Sequence, residues 1–102
     1  MSIQKKYLKS KAVSRVTFML PTKIAGGARK ASLVGEFNGW DPKATRMQKL
    51  RTGEFKVTVD LEVGREYQYR YLLDDRTWQN DDAADRYVPA GIADAENSVV
   101  IV

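Results

Sequence analysis

Two alternating runs near the middle of the chain place the strongest constraint on its fold. Hydrophobic side chains recur at every second position from Phe55 to Leu61, and again from Tyr67 to Leu73. A period of two is typical of a strand with one buried face. The few residues between the runs include Gly64, and a connection of this length is usual in antiparallel hairpins. The pattern therefore predicts an antiparallel sheet in which the two runs pair.

Further short strands are predicted on either side of these runs. Residues 15–20 alternate in the same way and end at Pro21, which has no amide hydrogen to donate to a sheet. Residues 31–37 and 98–102 are the other predicted strands. No stretch of ten or more residues shows helical periodicity. Several short strands separated by turns favour an all-β fold of the sandwich type.

The composition excludes several classes of function. The chain has 102 residues, which is one domain's length. It contains no cysteine, so disulfides, thiolate metal sites and cysteine nucleophiles are excluded. It also contains no histidine, the side chain best suited to proton transfer near neutral pH and the commonest metal ligand. We therefore expect a non-catalytic binding module with no cofactor and no metal.

The positive charge is concentrated at one end of the chain. The net charge of +4 equals the four lysines among residues 1–11, a segment that holds no acidic residue. We predict a flexible basic leader over residues 1–12 and a single neutral domain over residues 13–102. A neutral domain disfavours a nucleic-acid partner, which would have to bind through the leader. Neither a signal peptide nor a membrane span is evident, so we expect a cytoplasmic location and no membrane partner.

Two tryptophans in predicted turns are the candidates for function. Trp40 follows the strand that ends at residue 37, and Trp78 follows a polar turn. Taken singly, each would more often cap a core. Arg70, however, lies on the face of the tyrosine strand opposite to Tyr67, Tyr69 and Tyr71, which are expected to be buried. An indole face suits the C–H groups of a pyranose ring, and Arg donates hydrogen bonds to hydroxyls. This combination favours sugar binding.

The order of several motifs resembles a known family. The motifs are Leu33–Trp40, the strand from Phe55, Tyr67–Tyr71 with Asp74 and Trp78, and Asn97–Val100. Together they resemble carbohydrate-binding module family 48. That family includes the glycogen-binding domain of the AMP-activated protein kinase β subunit and the early-set N-terminal domains of isoamylase and glycogen branching enzymes. The resemblance covers residues 13–102.

The resemblance implies an immunoglobulin-like early-set β-sandwich that binds an α-1,4-glucan such as glycogen, starch or a maltooligosaccharide. Trp40 and Trp78 fall on the family's two stacking tryptophans. Arg70 falls where the glycogen-binding domain usually has a lysine, and Asn97 falls on the asparagine that bonds sugar hydroxyls. The carbohydrate-binding residues implied are thus Trp40, Arg70, Trp78 and Asn97, with no catalytic residue and no metal ligand.

Two departures from the family motivate an alternative function. Residues Ala93–Glu96 are small and acidic where the glycogen-binding form has a leucine and a threonine. The turn before Trp78 is also one residue longer than the family's usual turn. The alternative is an interaction module that docks on a glucan-processing enzyme of the isoamylase or branching-enzyme type, with a weakened or lost sugar site.

An enzymatic function would have to use clustered carboxylates. The candidates are Asp74, Asp75, Asp81 and Asp82, since glycosidases act through two carboxylates at set separations. Adjacent acids in turns are far more often solvated or capping groups. A calcium site at Asp81, Asp82 and Asp85 is equally disfavoured, because the spacing does not fit an EF-hand loop.

Overall fold

Two antiparallel sheets make up the fold in the computed structural model, which describes residues 3–8, 12–91 and 95–102. The strands are β1 Ile3–Tyr7, β2 Val13–Leu20, β3 Ala31–Gly35, β4 Gln48–Lys49, β5 Phe55–Glu62, β6 Glu66–Leu73, β7 Thr77–Gln79, β8 Arg86–Pro89 and β9 Glu96–Ile101. The helical elements are α1 Thr22–Ala25 and a 3₁₀ helix, Glu36–Asn38. Within these ranges, no helix has the length and apolarity needed to cross a membrane. The predicted all-β sandwich is confirmed.

The strand order separates the two sheets. The first sheet has the order β1-β2-β5-β4, and the second has the order β3-β6-β9-β8 with β7 also paired to β6. β3 runs along one edge of β6. On the other edge, β9 pairs with residues 66–69 of β6 and β7 pairs with residues 71–73. β6 is therefore the central strand of the second sheet, and its outward side chains have neighbours on both sides.

The predicted pairing of the two alternating runs is wrong. β5 pairs with β2 and β4, whereas β6 pairs with β3, β7 and β9. The connection between them is bonded to other segments, since Val63 N donates to Ala12 O at 3.0 Å and Gly64 N donates to Val102 O at 2.8 Å. A short glycine-containing connection fits a crossing between sheets as well as a hairpin. Periodicity shows which face of a strand is buried, but it does not show which strand lies beside it.

The core lies between the two sheets and is rich in aromatic rings. Phe18 of β2 meets Tyr69 of β6 edge to face, with ring centroids 5.1 Å apart. Tyr67, Tyr69 and Tyr71 are 5%, 0% and 0% exposed, which confirms the prediction that they share the buried face. Other side chains of the core include those of Val16, Leu20, Leu33, Phe55, Leu61 and Val100. The same alternation turns Gln68 and Arg70 outward.

Part of the predicted leader is a strand. β1 pairs with β2 in antiparallel register, and Ile3 is buried across from Phe18. Lys5, from the lysine-rich segment, forms an ion pair with Asp85 at 2.8 Å. This differs from the flexible leader expected over residues 1–12. Lysines are common on edge strands, and Ile3 is the buried residue of β1, so the segment lacks the alternating apolar pattern of a central strand. Lys9 and Lys11 lie outside the described residues.

Candidate functional site

The outer face of the second sheet combines buried apolar side chains with polar ones. The register places Val34 of β3 across from Arg70, and Val99 of β9 across from Gln68. Val34, Val99 and Leu72 are 0%, 1% and 5% exposed, although they lie outside the cluster between the sheets. These three residues form an apolar floor, and the polar side chains beside them are held against it.

A chain of hydrogen bonds crosses this face from β9 to β6 and on to the 3₁₀ helix. Arg70 Nε donates to Asn97 Oδ1 at 2.7 Å, and Asn97 Nδ2 donates to Gln68 Oε1 at 3.0 Å. The backbone N–H of Gln68 donates to Glu36 Oε1 at 2.7 Å. Because arginine can only donate, its contact fixes the orientation of the Asn97 amide, which in turn fixes that of the Gln68 amide.

Trp40 borders a depression that reaches this polar chain. The depression has a volume of about 370 Å³ and is lined by Glu36, Trp40, Gln68, Arg70, Ala90 and Asn97. Trp40 is 38% exposed, so its ring is available at the rim. Its backbone has a φ of 60°, a region in which a bulky side chain is uncommon. The turn that presents Trp40 is thus held in a conformation that tryptophan does not favour.

The side chain of Asn38 holds this turn. Its Oδ1 accepts from Gly35 N at 3.0 Å, and its Nδ2 donates to Leu33 O at 2.8 Å and to Thr45 Oγ1 at 3.1 Å. Trp40 N in turn donates to Gly35 O at 2.9 Å. These bonds fold the chain back, so β3 ends at Gly35. The strand predicted over residues 31–37 is therefore two residues too long.

Trp78 lies in a strand, and its predicted place in a turn is wrong. It belongs to β7 and is directly opposite Leu72 of β6. The Arg70 guanidinium carbon is 5.5 Å from the centroid of the Trp78 ring, which is within cation–π range. The turn itself is formed by Asp74 and Asp75, whose φ values are 51° and 58°. Trp78 is 45% exposed, so it also presents indole surface to solvent.

All four predicted site residues lie on one face, and Arg70 connects them. Arg70 lines the depression with Trp40 and Asn97, bonds Asn97 directly and contacts the Trp78 ring. Within the described ranges, no carboxylate is paired with Arg70, whereas seven other ion pairs are formed there. The loop that departs from the family pattern is incompletely described, since Ala93 and Asp94 lie outside the described residues.

The carboxylates considered for catalysis or calcium have structural contacts. Asp74 accepts from the backbone N–H groups of Arg29 and Lys30. The two core tyrosines of β6 donate to the buried Asp81 at 2.8 and 2.9 Å. Burial first, and then the Asp81 carboxylate, raises the pKa of both tyrosines above the usual value. No group of three or more metal-ligating side chains is present in the portion of the chain that the structure describes.

Three residues that line the depression were not among the predicted site residues: Glu36, Gln68 and Ala90. Gln68 shares the outward face with Arg70, so strand periodicity already placed it beside the site. Glu36 had no such signal, because it belongs to a 3₁₀ helix that the sequence predicted as strand. Both line the depression and are joined by a hydrogen bond of 2.7 Å.

The sequence is similar to a known protein family. A family model described as the glycogen recognition site of AMP-activated protein kinase matches residues 20–98. This span is well over half of the chain and contains all four predicted site residues. No curated protein sequence matches the chain significantly.

Proposed function

The chain belongs to the family of glycogen recognition sites of AMP-activated protein kinase, and this membership supports a glucan-binding module. We propose that the chain binds α-1,4-glucans through the outer face of its second sheet. The proposed ligands are glycogen, starch and their maltooligosaccharide fragments. The proposed binding residues are Trp40, Arg70, Trp78 and Asn97. The observation that carries the proposal is that Arg70 borders the Trp40 depression, bonds Asn97 and contacts the ring of Trp78.

The two tryptophans provide the apolar part of the proposed site. Each tryptophan is about two-fifths exposed. Trp40 lies in the turn after β3, and Trp78 lies in the strand β7. Stacking a pyranose on an indole face buries apolar surface and places weakly positive C–H groups over the negative ring face. Two such platforms on one face suit a polymer whose successive rings present the same apolar faces.

Arg70 and Asn97 provide the directional part. The Arg70 Nε is occupied by Asn97, so the two terminal guanidinium nitrogens carry the donors for ring hydroxyls. Asn97 Nδ2 uses one hydrogen on Gln68 and has a second. Asn97 is only 6% exposed, so its orientation is set by the protein before ligand arrives. Preorganised donors lower the ordering cost of binding.

The proposed site is shallow and binds without chemistry. Carbohydrate-binding modules are typically non-catalytic, and the site residues bind a neutral polymer without transferring a proton. Shallow sites gain little buried area, and ordering costs reduce that gain further. We expect dissociation constants between micromolar and millimolar, or about −4 to −8 kcal/mol.

Titration calorimetry with β-cyclodextrin, a closed ring of α-1,4-linked glucose, tests the proposal. Trp40→Ala and Trp78→Ala should each weaken binding by at least about tenfold, the effect of losing one aromatic contact worth about 1.4 kcal/mol. Tyr7→Ala is the matched control, because Tyr7 is an exposed aromatic (57%) on β1 of the first sheet. Absence of binding by the wild-type protein, or equal affinity in all three variants, would contradict the proposal.

A docking function predicts a different outcome. In that case the protein would show no affinity for β-cyclodextrin, and it would co-purify with a glucan-processing enzyme in a complex that excess glucan does not dissolve. Running both experiments on the same preparation separates the two functions.

A further inference from the structure

The depression beside Trp40 has two polar residues that the proposed binding set leaves out. We propose that Gln68 and Glu36 form a second polar subsite, which reads an adjacent pair of free hydroxyls on the sugar ring that Trp40 holds. The inference rests on the proposed glucan-binding function and adds the determinant of ligand selectivity at that site. It is carried by the hydrogen-bond pattern of the two side chains and by their place in one depression.

The orientation of Gln68 follows from its neighbours. Arg70 can only donate, so Asn97 must turn its oxygen to Arg70 and its nitrogen to Gln68. Gln68 therefore accepts through Oε1, and its Nε2 carries two N–H donors on the other side of the same planar group. Within the residues that the structure describes, no hydrogen bond is formed by Gln68 Nε2. Gln68 is half-buried and lines the depression. The amide is thus oriented by the protein with its donors unused.

Glu36 supplies the complementary acceptor. Its Oε1 accepts from the backbone N–H of Gln68 at 2.7 Å, which anchors the carboxylate in the depression that the Gln68 side chain also lines. No ion pair involves Glu36 within residues 3–8, 12–91 and 95–102. Its Oε2 and remaining lone pairs are therefore acceptors on the wall of the depression. A carboxylate that accepts from a hydroxyl forms a charge-assisted hydrogen bond, which is stronger than a neutral one.

A donor and an acceptor in one depression match the chemistry of adjacent hydroxyls. One hydroxyl oxygen accepts from Gln68 Nε2, and the next hydroxyl donates to Glu36. The depression's volume of about 370 Å³ is at the lower end of small-ligand sites, about 300–1,000 Å³. In an α-1,4-glucan each internal ring keeps two adjacent secondary hydroxyls free, and methylation removes the hydrogen that Glu36 needs.

The test compares β-cyclodextrin with its derivative methylated on both secondary hydroxyls of each ring. Gln68→Ala and Glu36→Gln are the variants, and the Glu36→Gln side chain retains an oxygen for the Gln68 N–H. Gln48→Ala and Glu54→Gln are the controls, since these residues lie in β4 and in the loop before β5, on the other sheet. Circular dichroism and thermal unfolding establish that each variant is folded.

We expect Gln68→Ala and Glu36→Gln to weaken β-cyclodextrin binding by about threefold to tenfold, the size of one lost hydrogen bond. The preference of wild type for the unmethylated ring should fall by the same factor, and the controls should keep it. Unchanged preference in both variants, with Trp40→Ala still weakening binding, would overturn the subsite while the glucan site stands. If wild type fails to bind β-cyclodextrin, the glucan function fails and the subsite fails with it.

Discussion

The turns next to the two tryptophans are stabilised in different ways. The turn before Trp40 is held by the neutral Asn38 amide, which makes three part-buried hydrogen bonds. The turn before Trp78 is held by exposed carboxylates. Asp75 pairs with Lys30 at 2.7 Å and with Arg46 at 2.9 Å, and Asp74 accepts from the backbone N–H groups of Arg29 and Lys30. Both turns contain non-glycine residues at positive φ. Backbone at positive φ is therefore stabilised in one turn by the part-buried amide of Asn38 and in the other by exposed carboxylates.

The difference determines how each turn should respond to change. A part-buried polar group that loses its partner costs about 1–3 kcal/mol, whereas an exposed ion pair contributes about 0–1 kcal/mol and is sensitive to salt and pH. Trp78 has a second support, because β7 is paired with β6. The Trp40 turn should thus be the more sensitive of the two to loss of one side chain, and the Trp78 turn should be the more sensitive to acid.

The largest effect is expected at the base of the Trp40 turn, with Gly35→Ala. A Cβ at Gly35 would lie 2.6 Å from Gln68 O and 2.7 Å from Tyr69 Cβ, and both atoms belong to the central strand. We expect the free energy of unfolding to fall by about 3 kcal/mol or more, measured by urea denaturation. Gly64→Ala is the control, because its Cβ meets nothing within 4 Å and the strain of its positive φ costs about 1–2 kcal/mol. Equal losses for the two variants would contradict the packing described.

The next effect is expected for Asn38→Ala. Removing the amide leaves Gly35 N and Leu33 O without their side-chain partner, so stability should fall by about 2 kcal/mol. Because the turn then loosens, affinity for β-cyclodextrin should fall as well. Asn38→Asp keeps the acceptor for Gly35 N and should lose less stability. A loss below about 0.5 kcal/mol for Asn38→Ala would show that the turn does not depend on these bonds.

Glycine and alanine should rank in opposite order at the two tryptophans. Trp40 has a φ of 60°, so Trp40→Gly should be more stable than Trp40→Ala by about 1 kcal/mol. Trp78 lies within a strand, where glycine is weaker, so Trp78→Ala should be more stable than Trp78→Gly by about 0.5–1 kcal/mol. Thermal unfolding of the four variants measures both differences. If the same residue, glycine or alanine, were the more stable at both positions, the contrast between the turn at Trp40 and the strand at Trp78 would be contradicted.

The smallest effect is a change in acid stability at the Trp78 turn. Hydrogen bonds from Lys30 and then Arg46 lower the pKa of Asp75 from 3.8 to about 2. Since the folded-state pKa is below the unfolded one, the stabilisation is present above about pH 4 and is lost as the pH falls towards about 2. Asp75→Asn should flatten the pH dependence of unfolding in this window. Asn38→Ala removes a neutral group and should keep the wild-type pH dependence of unfolding. The same wild-type pH dependence in Asp75→Asn would show that Asp75 is not its source.

Much of the fold was predictable because strand periodicity reports burial. The buried faces of β2, β5 and β6 follow directly from alternation, as does the outward position of Arg70 and Gln68. The partner of each strand was not predictable, since the connection between β5 and β6 fits a sheet crossing as well as a hairpin. The strand β1 was missed because a lysine-bearing edge strand has only Ile3 to bury.

The candidate site was predicted in part for a similar reason. Each of the four predicted residues comes from a separate sequence motif, and all four lie on one face of the structure. Glu36 could not be predicted, because its place depends on the Asn38 amide ending β3 at Gly35. The strand position of Trp78 was missed because Thr77–Gln79 is only three residues long, which is too short for a period-two pattern.

The chain contains only two tryptophans, which allows a direct test of the central claim that both bind glucan. A ¹H–¹⁵N spectrum should show two indole N–H signals, assigned by Trp40→Phe and Trp78→Phe. Addition of β-cyclodextrin should shift both signals along one common binding curve. Binding that leaves both indole signals unmoved, or a titration that produces no binding at all, would contradict the account.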